Sequence, residues 1–154
     1  MAILNLSKMR QILMSKITIK TVDFNQYAEP LKKIRTEVFI KEQQVPVDLE
    51  WDEFDADAIH ILAYYNNIPV GTARLINNAQ IGRMAVLKEY RARGVGKKML
   101  EFLITLAHKM GIDTIQLSAQ KHAVEFYKKY GFEVCSGEYQ DAGIPHYTMK
   151  YNLA

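Results

Sequence analysis

The segment Met84-Ala-Val-Leu-Lys-Glu-Tyr-Arg-Ala-Arg-Gly-Val-Gly-Lys-Lys-Met-Leu100 carries the most chemistry in this chain. An apolar run gives way to a basic stretch with Arg91, Arg93, Lys97 and two glycines, Gly94 and Gly96, and a helical pattern starts inside it. A helix beginning there offers unpaired N–H groups and the positive end of its dipole. The glycines let a ligand approach the backbone with no Cβ in the way. The predicted chemistry is capture of a pyrophosphate or similar dianion on main-chain amides. Two familiar phosphate loops do not fit. G-x-x-x-x-G-K-[ST] would need glycine at Arg91 and Ser or Thr at Lys98, and G-x-G-x-x-G would need glycine at Met99. The pattern present is Arg91-x-x-Gly94-x-Gly96.

A second dense cluster is acidic. Residues 48–57 place six acids in ten positions, whereas 88–98 carry Lys88, Arg91, Arg93, Lys97 and Lys98 against Glu89 alone. The pair fits a ligand with one cationic and one anionic end, and it fits two solvated loops equally well. Of the four histidines, His60 and His146 fall on strands, while His108 and His122 fall at helical surface positions. Tyr127 shares a helical stripe with Ala123 and Tyr130, a spacing that also suits a core residue. The one cysteine, Cys135, excludes an internal disulfide and a Cys-rich zinc site, and predicts no metal and a reducing, cytoplasmic setting.

These residues need elements to position them. Residues 1–15 read as an extension, helical or loosely attached, and 16–154 as one domain. Ile17–Val22 alternates as a strand, and Tyr27, Leu31, Ile34 and Val38 mark a helix face over about 29–42. The acidic stretch 47–57 reads as a loop. Three strands follow, over 58–65, 70–76 and 80–87, separated by turns at 66–69 and Asn77-Asn78, so short that the neighbours must be antiparallel. Val95, Met99, Leu103, Leu106 and Met110 mark an amphipathic helix closed by Gly111. A buried strand over 114–118, a short helix ended by Gly131, and two last strands at 132–135 and 145–151 complete the order β-α-β-β-β-α-β-α-β-β. The helix between 87 and 114 predicts a parallel crossover, hence a mixed sheet with helices on its faces.

Composition narrows the classes further. With 49% hydrophobic and 24% charged residues the chain is expected to bury a core rather than remain disordered. No apolar run approaches a membrane span, and the first residues lack the features of a signal peptide. A net charge of +3 with its cations gathered in one loop argues against nucleic acid as partner.

Taken in order, Ile81-Gly-Arg-Met-Ala-Val-Leu87, Arg91-x-x-Gly-x-Gly96 and Ala123-Val-Glu-Phe-Tyr-Lys-Lys-Tyr-Gly-Phe132 resemble the GCN5-related N-acetyltransferase (GNAT) superfamily over about residues 17–152. Arg35–Gln43, Glu50-x-Asp52-x-x-Asp55 and Gly143-Ile-Pro-His-Tyr-Thr-Met149 resemble a subgroup of uncharacterised bacterial members. The resemblance implies an α/β acyl-CoA N-acyltransferase fold with a mixed, mostly antiparallel central sheet and helices on both faces. It implies acetyl-CoA as acyl donor, an amine of a small molecule or peptide as acceptor, and a homodimer. The pyrophosphate would lie on the amides of Arg91, Ala92, Arg93, Gly94, Val95, Gly96 and Lys97, with the three basic side chains adding charge. The pantetheine arm would pair with Met84, Ala85 and Val86, one of whose amides would face the thioester oxygen. Tyr127 occupies the family position for the acid that protonates the leaving thiolate. Gln120 would open the second helix, bonding the pantetheine or capping the helix. Many members carry a glutamate on the strand at 81–87, where this chain has Arg83 and no acid. Glu50, Asp52, Asp55, His60 and His146 are therefore the candidates for base and acceptor site. The missing glutamate also motivates a different expectation, a non-catalytic acyl-CoA-binding or regulatory module.

Overall fold

In the computed structural model, which describes residues 5–8, 16–76 and 79–154, strand β1 (Ile17–Val22) lies at one edge of an eight-stranded sheet. The readings of residues 1–15, apart from 5–8, and of the Asn77-Asn78 turn fall outside the described residues. β1 pairs antiparallel with β2 (Ile59–Tyr65), which turns into β3 (Ile68–Ile76) through Asn66 and Asn67 at φ 48° and 69°. Asparagine tolerates the left-handed region that such a two-residue hairpin needs, so this turn is one residue pair long and β3 starts earlier than the sequence suggests. β3 pairs antiparallel with β4 (Gln80–Val86).

β4 and β5 (Thr114–Gln120) run parallel, joined by helix α3 (Val95–Lys109), as the crossover argument requires. β8 (Ile144–Asn152) is antiparallel to β5 and carries the short strands β6 (Glu133–Val134) and β7 (Tyr139–Asp141) along its other edge. β7 is absent from the expected order, because three residues carry too little pattern to read.

Helices cover both faces. α3 packs on one face over Ile61, Leu75, Ile81, Ile115 and Leu117, and α4 (Val124–Lys129) adds Phe126 and Tyr127 there. On the other face α1 (Ala28–Arg35) buries Leu31 and Ile34 against Leu62 and Ala85. The expected single helix over 29–42 changes pitch halfway: Thr36–Glu42 is a π-helical turn, and a one-turn helix, α2 (Val47–Glu50), follows where a loop was expected. No helix among the described residues is long and apolar enough to cross a membrane.

Candidate functional site

β4 and β5 part company early. Their pairing is confined to Gln80↔Gln116 and Ile81↔Leu117, and beyond it the two strands diverge. A bulge deepens the divergence. Thr72 pairs with Ala85 and Arg74 with Gly82, so Ala73 faces two residues, Arg83 and Met84, with Arg83 at φ 50°. A bulge bends its strand and redirects side chains. The result is a cleft of about 890 Å³ lined by β4, the 90–97 turn, the π-helical turn, Tyr127 and the ends of β5 and β8.

The two edges of β4 differ beyond Ile81. The Ala85 carbonyl lies against Gly71 of β3, and the Leu87 amide donates to Val70 O at 2.8 Å. Alternation along the strand therefore turns the amides of Met84 and Val86 toward the cleft and leaves Ala85 facing β3. The Val86 carbonyl is engaged by Arg91 Nε at 2.9 Å. Of the three residues expected along the pantetheine arm, Met84 and Val86 thus present N–H groups to the cleft, and Ala85 does not.

At the mouth, Lys88–Tyr90 makes a single 3₁₀ turn, Ala92 and Gly94 take φ 60° and 88°, and α3 starts at Val95. The Arg91 amide reaches Lys88 O at 3.3 Å, but the amides of Ala92, Arg93, Gly94, Val95, Gly96 and Lys97 find no acceptor among the described residues. Six donors converge at the positive end of a fifteen-residue helix, which is the electrostatic arrangement that suits a dianion. The side chains behave differently from expectation. Arg91 is held by both carboxylate oxygens of Glu42 at 2.6 Å, Arg93 stacks over the rings of Tyr65 and Tyr90 at 5.2 and 5.3 Å, and Lys97 lies 3.9 Å from Glu101. Only Arg91 is neutralised by a close carboxylate; Arg93 rests on aromatic rings, and Lys97 is loosely paired on the surface.

Tyr127 is fixed by its helix and by edge-on contacts with Phe126 and Phe132 at 5.1 and 5.9 Å. Among the described residues its hydroxyl bonds only the Met84 sulfur, at 3.5 Å. Burial pushes the phenol up to about 12, so it stays protonated at neutral pH and keeps a proton to donate. Gln120 stands at the N-cap position of the 3₁₀ turn Lys121–Ala123 that leads into α4, but its side chain makes no capping hydrogen bond. It ends β5, and its amide donates to Gln43 Oε1 at 2.6 Å across the cleft.

The acidic loop corrects the sequence reading most. Glu50, Asp52 and Asp55 face three arginines. Arg35, 1% exposed, donates to Glu50 and Asp55 at 2.7 Å each. Arg74 binds Asp52 at 2.6 Å and Asp55 at 2.8 Å, and Arg83 reaches Asp52 at 3.1 Å and Glu50 at 3.4 Å. Three negative charges meet three positive ones, so these three carboxylates fasten the loop to the sheet. Burial holds the Glu50 carboxyl above its usual range. For Asp52 and Asp55 burial acts in the same sense, but Arg74 at Asp52, and Arg35 with Arg74 at Asp55, outweigh it and hold both below. Trp51 lies under the Arg35 guanidinium at 4.7 Å, which makes it an anchor of the loop.

His60 also lies apart from the cleft. It is 1% exposed on β2, packed on Phe24, with Nε2 2.8 Å from the Asp55 carbonyl, and burial lowers its proton affinity. His146 does line the cleft, opposite Gln120 in the β5–β8 register. Sequence reasoning missed the arginine network and Gln43. Arg74 was findable: a charge inside the apolar run Val70–Ile76 demands a buried counterion. Among the described residues no group of three or more His, Cys, Asp or Glu is arranged to hold a metal.

A mixed sheet splayed at its centre, beside a helix start whose amides are unbonded among the described residues, is the architecture this geometry defines. The family model of the GNAT acetyltransferase domain matches residues 22–153, and the chain belongs to that family. YjcF of Bacillus subtilis, named an N-acetyltransferase, is 42% identical over 120 residues, covering 75% of this chain and 86% of its own. ElaA of Escherichia coli is 32% identical over 127 residues, covering 77% and 83%, and its crystal structure superposes with a TM-score of 0.77 over 89% of this chain and 100% of its own. Arabidopsis thaliana Naa50, solved with the bisubstrate analogue CoA-Ac-MVNAL, is 26% identical with a TM-score of 0.72, covering 89% of this chain and 99% of its own.

Proposed function

We propose that this chain is an N-acetyltransferase that moves the acetyl group of acetyl-CoA directly to an amine of a small molecule or peptide. The observation that carries the reading is the juxtaposition of the open β4 edge at Met84 and Val86 with the six unpartnered amides of 92–97. A linear ligand with an amide-bearing arm and a diphosphate fits both at once, the arm adding to the strand edge and the diphosphate meeting the helix start. An amide of the Met84–Val86 stretch near the thioester oxygen would support the tetrahedral oxyanion, worth ~3–4 kcal/mol for a well-placed donor. Tyr127 would return a proton to the departing sulfur. The complex of Naa50 with the bisubstrate analogue CoA-Ac-MVNAL supports the same pairing of donor and acceptor here.

The test is incubation with acetyl-CoA and a panel of amines, read by release of free thiol, alongside calorimetry with CoA. Release that depends on the amine is expected. Absence of binding at millimolar CoA overturns the proposal. Binding with no turnover on any amine would make the protein an acyl-CoA-binding module instead.

A further inference from the structure

We propose that His146 is the catalytic base that takes a proton from the acceptor ammonium; this rests on the acetyl-transfer reading above. Direct transfer needs an acid beside the sulfur and a base beside the entering nitrogen, on opposite sides of the acyl carbon. The sheet supplies that polarity. Leu117, Ala119, Tyr147 and Met149 face the α3–α4 core, where Tyr127 sits. Alternation turns Gln120 and its partner His146 to the opposite face, which α1 covers. Tyr127 and His146 thus line one cleft from its two sides.

The ring is set for the task. Nδ1 lies 2.6 Å from the Ile144 carbonyl. A carbonyl only accepts, so Nδ1 carries the hydrogen, and neutral imidazole then has its lone pair on Nε2. His146 is 7% exposed, and Nε2 has no hydrogen-bond partner among the described residues. Nor is it sealed off. Arg74 Nε is the one fully buried side-chain polar atom without a partner among the described residues, so the unpartnered Nε2 keeps some exposure, and His146 lines the cleft. Tyr139 stacks on the imidazole, 6.1 Å between centroids and 21° between planes, and its own hydroxyl is tied to Ser118 at 2.5 Å and Thr148 at 3.2 Å.

Glu50 is the competing base in the cleft. Its carboxylate is bound by Arg35 at 2.7 Å with Arg83 at 3.4 Å, so an ammonium reaching it would have to sit beside two guanidinium groups. His146 has no cation on its ring among the described residues. The titratable groups around it are Tyr139 and Asp141 on β7, and Lys121 and His122 on the turn after β5; Lys121 is paired with Glu138 at 3.0 Å.

The balance is simple. The ammonium gives one proton to Nε2, and the freed lone pair forms the C–N bond. The C–S bond breaks and the thiolate takes the Tyr127 proton, which the second surplus proton on nitrogen replaces through solvent. One proton is released for each amide formed.

The experiment measures kcat/KM against pH for wild type, His146→Gln, Glu50→Gln and His122→Gln, with melting temperatures and the imidazole ¹⁵N spectrum of the wild-type protein. His146→Gln is expected to lose about 100-fold or more in kcat/KM together with the ascending limb of the profile, while CoA affinity is kept. His122→Gln should keep the limb. The spectrum should show a protonated Nδ1 and an unprotonated Nε2, a readout that needs neither variant nor turnover. The inference is overturned if the limb survives in His146→Gln, if it vanishes in Glu50→Gln instead, or if Nε2 carries the hydrogen. Wild type that acetylates no amine would defeat the acetyl-transfer reading itself, and this inference with it.

Discussion

Glu42 and Arg91 meet across the mouth of the cleft through two 2.6 Å hydrogen bonds, and the same guanidinium reaches back to the Val86 carbonyl at 2.9 Å. One side chain thereby fixes the distance between the π-helical turn, the end of β4 and the amide turn. Because Glu42 already matches its charge, Arg91 would serve the proposed anion site by position. Lysine would keep the charge but lose the fork. Arg91→Lys should weaken CoA binding about tenfold, about 1.4 kcal/mol, with little change in salt dependence, as read by calorimetry at two ionic strengths. Unchanged affinity would show that the turn holds its shape without the clamp.

Asp55 lies between Arg35 at 2.7 Å and Arg74 at 2.8 Å and is nearly excluded from solvent. Removing one member of a buried ion group leaves the others uncompensated. Asp55→Ala should cost about 3–5 kcal/mol in urea unfolding. The pH dependence follows from the direction of each shift. The carboxyls of Asp52 and Asp55 are held below their ordinary 3.8, so their contribution is complete above that pH and is lost as pH falls through the lower folded value. Glu50, held above 4.5, acts in the opposite sense and slightly opposes the fold once ionised. Acid unfolding should therefore set in below the ordinary aspartate range, and Asp55→Asn should reduce its steepness. A variant that unfolds in acid with the wild-type profile would refute this account.

The strands and α3 were legible because burial imposes a period on sequence: Val95, Met99 and Leu103 leave a 3.6-residue record, and the 87-to-114 crossover leaves only one hand and direction. The turn before α3 was legible because Gly94 answers a backbone need, a positive φ, whereas Gly96 sits inside the helix against Phe126. The acidic loop was not, since a carboxylate in solvent and one on a buried arginine look alike in sequence. The pitch change at Thr36 and the divergence of β4 from β5 are tertiary effects with no local residue signature. His146 sat among equal candidates until the folded cleft, which His146 lines and the buried His60 does not, separated the two.

Gly94 and Gly131 both adopt positive φ, at 88° and 98°, but for different neighbours. A Cβ on Gly94 would meet only Ile17 Cδ1 at 4.0 Å, so alanine there carries the left-handed penalty of about 1–2 kcal/mol. On Gly131 it would lie 2.7 Å from Tyr151 Cε2, and displacing a packed ring adds about 1–3 kcal/mol. Thermal unfolding should rank Gly131→Ala below Gly94→Ala. Gly94→Ala should also weaken CoA binding, because the strain falls within the row of amides, whereas Gly131→Ala should leave affinity intact wherever the protein is folded. The reverse pattern would remove the turn from the anion site.

Tyr127→Phe separates chemistry from packing. The hydroxyl makes one weak contact, to the Met84 sulfur at 3.5 Å, while the ring packs on Phe126 and Phe132. Losing the oxygen should thus shift the melting temperature little and leave CoA affinity unchanged. If the phenol protonates the departing thiolate, kcat should fall by about 10²-fold. Because burial pushes this phenol up to about 12, wild type should show no alkaline loss of rate from Tyr127 across the ordinary assay range. An acyl donor whose thiol leaves readily without protonation should recover most of the lost rate in the variant. A variant equally slow with both donors would place Tyr127 among the residues that orient the sulfur, and the proton would then have to come from solvent.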